Sequence, residues 1–234
     1  MTGSGLAGSG ALAIWHDIAP EGRDTFYAWH GSEHMPERLG IPGVLRGRRY
    51  IGIQASLEFF NLYETTDIGV LRGPDYAARV NNPTPWTLEA VRHFRAVARS
   101  ICGVEYSSSN GNSQGGLIAT LRYDVADGNT DAHRQALRDR ALPALARAPG
   151  IAGVHLLSAD DKASGAQNAE QRARATANAV PRWILLVEGW GDEAPFMERL
   201  RDFCDAPRLL ALHAVDPFVL DFYRLQTTVT RAMD

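Results

Sequence analysis

The hydrophobic and polar positions along the chain predict the same succession of strands and helices twice. In the first half, strands are predicted at residues 11–17, 44–53, 58–64 and 102–106, with a helix at 22–39. A second helix is predicted to begin at Thr84-Pro85, a capping residue followed by a proline suited to the first helical position. The second half has predicted strands at 117–125, 154–158, 183–190 and 219–225, and a helix at 131–148. Each half therefore follows the order β-α-β-β-α-β.

The two halves also share residues at a constant spacing along the chain, which indicates an internal duplication. The matching pairs are Pro36 and Pro143, Pro42 and Pro149, and Gly43 and Gly150. The shared order of elements is that of the ferredoxin-like split βαβ unit. One such unit leaves one face of its sheet uncovered. We therefore expect an α+β fold in which two tandem ferredoxin-like repeats pack sheet to sheet as an α/β barrel within one chain.

Composition divides the chain into these repeats and three further segments. We expect a flexible tail at residues 1–10, a first repeat at 11–106, a linker at 107–116 and a second repeat at 117–230. The tail and the linker are rich in Gly and Ser. A polar, Ala-rich insertion at residues 160–180 interrupts the second repeat, and it is either a lid or a tolerated surface loop.

Four short motifs in the first half resemble the EthD-like branch of the dimeric α/β-barrel superfamily. They are Phe26-Tyr-Ala-Trp29-His30, His34-Met-Pro36, Ile41-Pro-Gly43 and Arg49-Tyr50. This superfamily includes members in which two copies are fused in one chain, which agrees with the duplication. The resemblance implies a fold similar to that of cofactor-free monooxygenases, muconolactone isomerases, polyketide cyclases and haem-binding enzymes. Because these proteins perform different chemistry on one fold, the resemblance does not fix the reaction.

A contrast between the two copies points to a site under the first helix. Leu137 and Ala141 of the second copy are apolar and lie four residues apart, on the stripe that should face the sheet. The corresponding residues of the first copy are His30 and His34. A buried imidazole costs free energy unless it is hydrogen-bonded. We therefore expect a polar cavity beneath this helix, in the first repeat only.

Three roles for these histidines remain open. His34 could be a general acid or base, because an imidazole titrates near neutral pH. His30 and His34 could instead bind a metal ion, with help from Glu33 or Glu37, or one of them could bind haem. They could also be structural histidines that bond to the backbone or to water.

Further side chains could complete a substrate site. Tyr50, Asn61 and Tyr63 replace apolar residues of the second copy, and we predict that they act with His34 in catalysis. We predict that His30, His16, Trp15, Trp86 and Arg48 bind substrate. Arg48 belongs to a basic run that could hold a carboxylate.

Composition and charge restrict the class of protein. The chain has 234 residues, 45% hydrophobic and 22% charged, and a formal net charge of −3. Mixed charge of this kind gives no basic surface for nucleic acid or for an anionic membrane. Residues 1–10 lack the basic and apolar segments of a signal peptide, and no apolar run approaches the length of a membrane span. We expect a cytoplasmic monomer or homodimer that acts on a small molecule.

We expect an isomerase, lyase, cyclase or monooxygenase that works on a carbonyl or phenolic, polyketide-like substrate without a metal or an organic cofactor. One alternative is a non-catalytic ligand-binding or stress-response protein of the same fold. Another is a metal-dependent or haem-dependent enzyme that uses His30 and His34.

Overall fold

The computed structural model of the chain describes residues 5–110, 113–174 and 178–231. Within these residues the chain forms eight strands. They are β1 (Gly10–Ile18), β2 (Val44–Gln54), β3 (Phe59–Thr65), β4 (Phe94–Ser109), β5 (Leu117–Val125), β6 (Ile151–Ala159), β7 (Trp183–Gly189) and β8 (Ala214–Thr230). Every strand of both predicted repeats is present.

The strands close into an antiparallel barrel in the order β1-β3-β2-β8-β5-β7-β6-β4. Each repeat contributes one four-stranded ferredoxin-like sheet, and the sheets join through β2 with β8 and β4 with β6. The predicted tandem α/β barrel is confirmed. The last strand of each repeat is longer than predicted. Each of these strands pairs with its own sheet and then with the other repeat, so both of its ends are hydrogen-bonded.

Helices cover the outer face of the barrel. They are α1 (Arg23–Trp29), α2 (Met35–Leu39), α3 (Gly69–Arg72), α4 (Pro74–Asn81), α5 (Pro85–Val91), α6 (Thr130–Ala136), α7 (Leu142–Ala146), α8 (Asp161–Gly165), α9 (Ala169–Arg174), α10 (Glu193–Phe203) and α11 (Ala206–Ala211). None of the helices in the described residues combines the length and the apolar composition needed to cross a membrane.

The predicted helix starts and stops are confirmed by their backbone geometry. Thr84 caps α5 by accepting a hydrogen bond from the Thr87 N–H at 3.0 Å. Gly43 and Gly150 follow the first helix of each repeat with φ of +85° and +82°. This left-handed conformation is readily adopted only by glycine, so the two helices end at equivalent positions of their repeats.

A π-helical turn interrupts the first helix of each repeat, and the sequence pattern did not predict it. The turns span His30–His34 and Leu137–Ala141. The Met35 N–H bonds to the His30 carbonyl, five residues earlier. Pro36 and Pro143 follow the two turns at matching positions. A proline lacks the N–H of the normal helical bond and its ring crowds the carbonyl four residues earlier, which favours the wider turn.

Apolar side chains fill the barrel interior and the space under the helices. The interior core combines residues of both repeats, including Trp15, Tyr50, Phe60, Ile184 and Tyr223. Burial of each such large side chain stabilises the fold by about 1.5–3 kcal/mol. The barrel is therefore a packed core, and any site must lie between the sheet and the helices or at the barrel ends.

Two predicted segment boundaries were wrong. Residues 5–10 of the predicted tail are packed: Leu6 is only 1% exposed and the Ala7 N–H donates to Glu64 at 2.7 Å. Residues 1–4 of that tail lie outside the described residues. The predicted linker begins inside a strand, because Ser107–Ser109 pair with β6 as part of β4. Residues 111 and 112 of the linker also lie outside the described part.

Candidate functional site

Polar side chains meet in a small cavity between the first helix and the sheet of repeat 1. We call it the inner cavity, and its volume is about 40 Å³. From repeat 1 it is lined by His30, His34, Arg38, Asn61, Tyr63, Tyr76 and Arg99, among others. The polar cavity expected beneath this helix is therefore present, and its volume gives room for a few water molecules.

His30 is held in one tautomer by its two neighbours. Arg49 Nη1 donates to His30 Nδ1 at 3.3 Å, and the Tyr63 hydroxyl lies 3.3 Å from His30 Nε2. Because a guanidinium can only donate, Nδ1 is unprotonated and Nε2 carries the proton. Burial, together with Arg49, His16 and Arg38, lowers the pKa of His30 well below its usual value. His30 is therefore a neutral, fixed member of the cavity wall.

His34 is also neutral, but one of its nitrogens has no hydrogen-bond partner in the part of the chain that the structure describes. Its ring packs on Trp29 with a centroid distance of 4.3 Å, and its Nδ1 is buried without a hydrogen bond to any described residue. Burial lowers the pKa of His34 well below its usual value, and Arg38 and His30 add to this effect. A buried nitrogen without a partner costs free energy, so this position favours an incoming polar group.

Asn61 connects His16 to the inner cavity. Asn61 Nδ2 donates to His16 Nε2 at 2.9 Å, and His16 Nδ1 donates weakly to the Asp17 carbonyl at 3.4 Å. Asn61 Oδ1 is buried and has no partner among the described residues. His16 therefore orients the Asn61 amide from behind, and the free amide atom is available to a ligand.

The insertion of repeat 2 covers this site of repeat 1. Asn168, Glu170 and Arg174, in and just before α9, line the inner cavity. Glu170 forms a buried ion pair with Arg38. The insertion was expected to be either a lid or a surface loop, and its described residues form a wall of the cavity. Residues 175–177 of the insertion lie outside the described part.

A larger cavity adjoins the inner one. We call it the outer cavity; its volume is about 540 Å³, and it lies between α4, the insertion and β4. Tyr76, Arg99 and Asn168 line both cavities. The two cavities therefore meet at these three side chains, and a ligand with its body in the outer cavity could reach toward the inner one.

Three residues predicted for the site lie instead inside the barrel. Tyr50 pairs with Phe60 across β2 and β3, whereas Asn61 and Tyr63 alternate with Phe60 and face the helices. Opposite residues of a strand pair share a face, so Tyr50 cannot join Asn61 and Tyr63. Trp15 stacks on Phe60 at a centroid distance of 4.9 Å.

Arg48 is the third of these residues. It is fully buried in the barrel and pairs with Glu64 at 3.0 Å and with Glu188 at 2.8 Å. Its charge is therefore already compensated by the protein. Trp86, a predicted substrate contact, packs at the edge of the core formed with Phe26 and Trp29 and does not line the inner cavity.

Two cavity residues were missed in the sequence. The contrast between the copies marks one of them, and only the strand pairing of the structure reveals the other. Arg38 matches Leu145 at the spacing that relates Pro36 to Pro143. Arg99 lies opposite Ile14, and Leu220 lies opposite the matching Leu121. Both arginines thus replace leucines of the second copy. No such signal marks Glu170, because the insertion has no counterpart in repeat 1.

The geometry does not fit a metal ion or a haem. Within the described residues there is no group of three or more His, Cys, Asp or Glu side chains placed to hold a metal. Glu33 accepts from the Thr84 and Thr87 hydroxyls, and Glu37 accepts from Arg38 and Arg79. A cavity of about 40 Å³ is also far too small for a porphyrin.

Solved structures share this fold at low sequence identity. An anthrone oxidase-like protein is 14% identical with a TM-score of 0.61, over 100% of this chain and 98% of its own. A protein provisionally named a monooxygenase, from Lactobacillus acidophilus NCFM, is 11% identical with a TM-score of 0.56, over 95% and 97%. One provisionally named a chlorite dismutase is 10% identical with a TM-score of 0.53, over 93% and 94%.

No protein-family model matches the chain, and no curated protein gives a significant match. At such identities the structural likeness establishes the fold alone. The likeness extends over nearly the whole chain and agrees with the predicted barrel of two ferredoxin-like repeats.

Proposed function

We propose that this chain is a small-molecule enzyme in which His34 acts as a general base on a carbonyl or phenolic substrate. One observation carries the proposal: three buried polar atoms that have no hydrogen-bond partner among the described residues belong to side chains that line one cavity. They are His34 Nδ1, Asn61 Oδ1 and Arg99 Nη1. Native proteins rarely leave buried polar atoms unsatisfied, and such atoms often mark a functional site. The EthD-like motifs of helix one and the enzyme-like names of the fold neighbours support the same proposal.

The proposed step is the removal of a proton from a carbon next to a carbonyl or conjugated with it, or from a phenol. His34 takes this proton. The electron pair of the broken C–H bond moves onto the carbonyl oxygen to give an enolate, whereas that of a phenol O–H bond stays on the oxygen to give a phenolate. The neutral imidazole is the form that can accept a proton, and burial keeps His34 in this form. The negative charge that develops on the substrate would then stabilise the imidazolium as it forms. Asn61 Oδ1 would accept from a substrate hydroxyl, and Arg99 would hold a polar group of the substrate where the two cavities meet.

The fate of the enolate separates two reaction classes. An isomerase returns the proton to another atom of the substrate. In a lyase the enolate expels a leaving group from the adjacent carbon, and this group takes the proton from His34. A cofactor-free oxygenase passes electrons from the enolate to dioxygen, as when an anthrone and dioxygen become an anthraquinone and water. The anthrone oxidase-like fold neighbour makes anthrone a suitable first substrate.

The test compares the protein with His34→Ala in two assays. One is dioxygen uptake with anthrone. The other is proton-deuterium exchange at the methylene of anthrone, which is conjugated with its carbonyl through the aromatic rings, and at the carbon next to the carbonyl of an aryl ketone. We expect the variant to lose about 10²–10⁴-fold in kcat, as is usual when a general base is removed. Tyr50→Phe is the control, because Tyr50 faces the barrel interior. Equal rates for the protein and His34→Ala, or no rate above buffer in either assay, would contradict the proposal.

A non-catalytic ligand-binding protein is the second candidate. The small volume of the inner cavity favours it, because only a few waters or the end of a ligand fit beside His34. A compound that binds tightly and is recovered unchanged, with no deuterium exchange, would support this candidate against the enzyme.

A further inference from the structure

Arg99 carries a buried charge that the described protein does not neutralise. Its side chain is 3% exposed, and Nη2 donates to the Tyr76 hydroxyl at 2.9 Å, a neutral partner. Nη1 has no hydrogen-bond partner among the described residues. Tyr76 therefore satisfies one terminal nitrogen of the guanidinium, and the other remains available to a ligand.

The carboxylates that line the two cavities are already paired. Glu170, in the inner cavity, pairs with Arg38, and Asp160, in the outer cavity, pairs with Arg72. Arg174 is a further cation in the wall of the inner cavity, and burial together with Arg99 lowers its pKa. The junction of the cavities therefore has an excess of positive charge.

A buried charge without a partner is strongly unfavourable, so a site of this kind favours a ligand of opposite charge. A carboxylate suits a guanidinium because its two oxygens match parallel N–H donors. One guanidinium with a single unpaired nitrogen offers few donors, which favours a monoanion over a phosphate dianion.

The outer cavity supplies the apolar part of the site. Leu71, Val80, Ile101 and Ala163 line it, together with Arg99 at its inner end. Its volume of about 540 Å³ is within the range of small-molecule pockets. A molecule that binds here would place an apolar body against these side chains and one end against Arg99.

We propose that the two cavities form a binding site for a small, largely apolar carboxylic acid, with its carboxylate on Arg99 and its body in the outer cavity. This proposal deepens the proposed function. Only the statement that the bound acid is the substrate rests on that function. It makes Arg99 the residue that selects the charge of the ligand. The binding itself does not require His34.

Titration calorimetry on the full chain tests the charge preference. The probes are naphthalene-2-carboxylate and octanoate, each compared with its uncharged amide. We expect the carboxylates to bind at least about tenfold more tightly than the amides, as an added charged hydrogen bond does. Equal binding of acid and amide, or no binding of either carboxylate at millimolar concentration, overturns the proposal, and this comparison needs no variant.

Variants then locate the preference. Arg99→Gln should bind acid and amide equally, whereas Arg79→Gln, which removes the same charge from α4 outside both cavities, should keep the preference. An unchanged preference in Arg99→Gln overturns the proposal. His34→Ala should still bind the carboxylates. Retained binding without any effect of His34→Ala on turnover would reject the enzyme and leave this site standing.

Discussion

Glu170 in the insertion of the second repeat forms a buried ion pair with Arg38 in helix α2 of the first repeat. Both side chains line the inner cavity. One repeat thus supplies part of the wall of the other repeat's site. The pair also attaches the insertion to the helix that carries His34, so its loss should affect both stability and the shape of the cavity.

Replacement of Glu170 by Gln should lower the free energy of unfolding by about 1–3 kcal/mol, because the buried Arg38 loses one of its two carboxylates. Glu37 remains 3.0 Å away and limits the loss. Urea denaturation measures the effect. Glu58→Gln is the matched control, since its pair with Arg23 is about one-third exposed and should contribute less than about 1 kcal/mol. Equal losses in the two variants would contradict the buried role of Glu170.

Removal of a tyrosine hydroxyl should have different effects on the two faces of the sheet. Tyr63→Phe removes the hydroxyl beside His30 and should reduce turnover or ligand binding. Tyr50→Phe removes a buried hydroxyl without a partner among the described residues. It should leave activity unchanged and be neutral or stabilising by up to about 1 kcal/mol. Steady-state rates and thermal melts of both variants provide the test, and a loss of activity in Tyr50→Phe would place that residue in the site after all.

The fold could be predicted from the sequence because its main determinants are local and occur twice. Pro-Gly pairs end both first helices, and the strands alternate with the correct period. The length of β4 and β8 could not be predicted in this way. Their outer ends are stabilised by pairing with the other repeat, which depends on barrel closure rather than on local pattern.

The site was predictable where the second copy gives a clean apolar reference. Three polar residues of the first copy line the cavity. They are His34, Asn61 and Tyr63, and they correspond to Ala141, Leu185 and Val187 of the second copy. The comparison of the two copies failed for Tyr50. It identifies a polar residue that replaces an apolar one, but it does not show whether that residue faces the helices or the barrel interior. The same contrast marks Arg38, which matches Leu145, whereas the match of Arg99 to Leu220 depends on the strand register and is visible only in the structure.

Arg48 should contribute to stability and not to ligand binding. Arg48→Ala leaves Glu188 deep in the barrel. Its remaining polar neighbours in the described part of the chain are His155 at 3.3 Å and the Gly115 N–H at 3.0 Å. Burial opposes the ionisation of Glu188, but Arg48 and His155 outweigh it and lower its pKa to about 2. We expect a loss of about 3–5 kcal/mol in urea denaturation. Arg182→Ala, at an exposed pair, should cost less than about 1 kcal/mol. A stable Arg48→Ala that fails to bind naphthalene-2-carboxylate would reverse this assignment.

The buried histidines should make the fold sensitive to acid at a higher pH than carboxylates alone would. His16, His30 and His34 have pKa values lowered mainly by burial, that of His16 to about 3. In the unfolded chain they titrate near about 6.5. Below that pH the unfolded state binds more protons than the folded state, so stability falls as the pH falls. Above it the histidines are neutral in both states and their contribution to stability is complete.

Each such histidine should therefore remove up to about 1.4 kcal/mol per pH unit below pH 6.5, until its folded-state pKa is reached. Urea denaturation between about pH 7 and pH 5.5 measures this slope above the range in which most carboxylates titrate. In His34→Ala the free energy of unfolding should fall less steeply with decreasing pH, by the contribution of one histidine. This difference does not depend on the stability of the variant at pH 7. A slope identical to that of the unchanged protein would mean that His34 takes up a proton in the folded state as readily as in the unfolded chain. In that case the neutral base proposed for the inner cavity would be wrong.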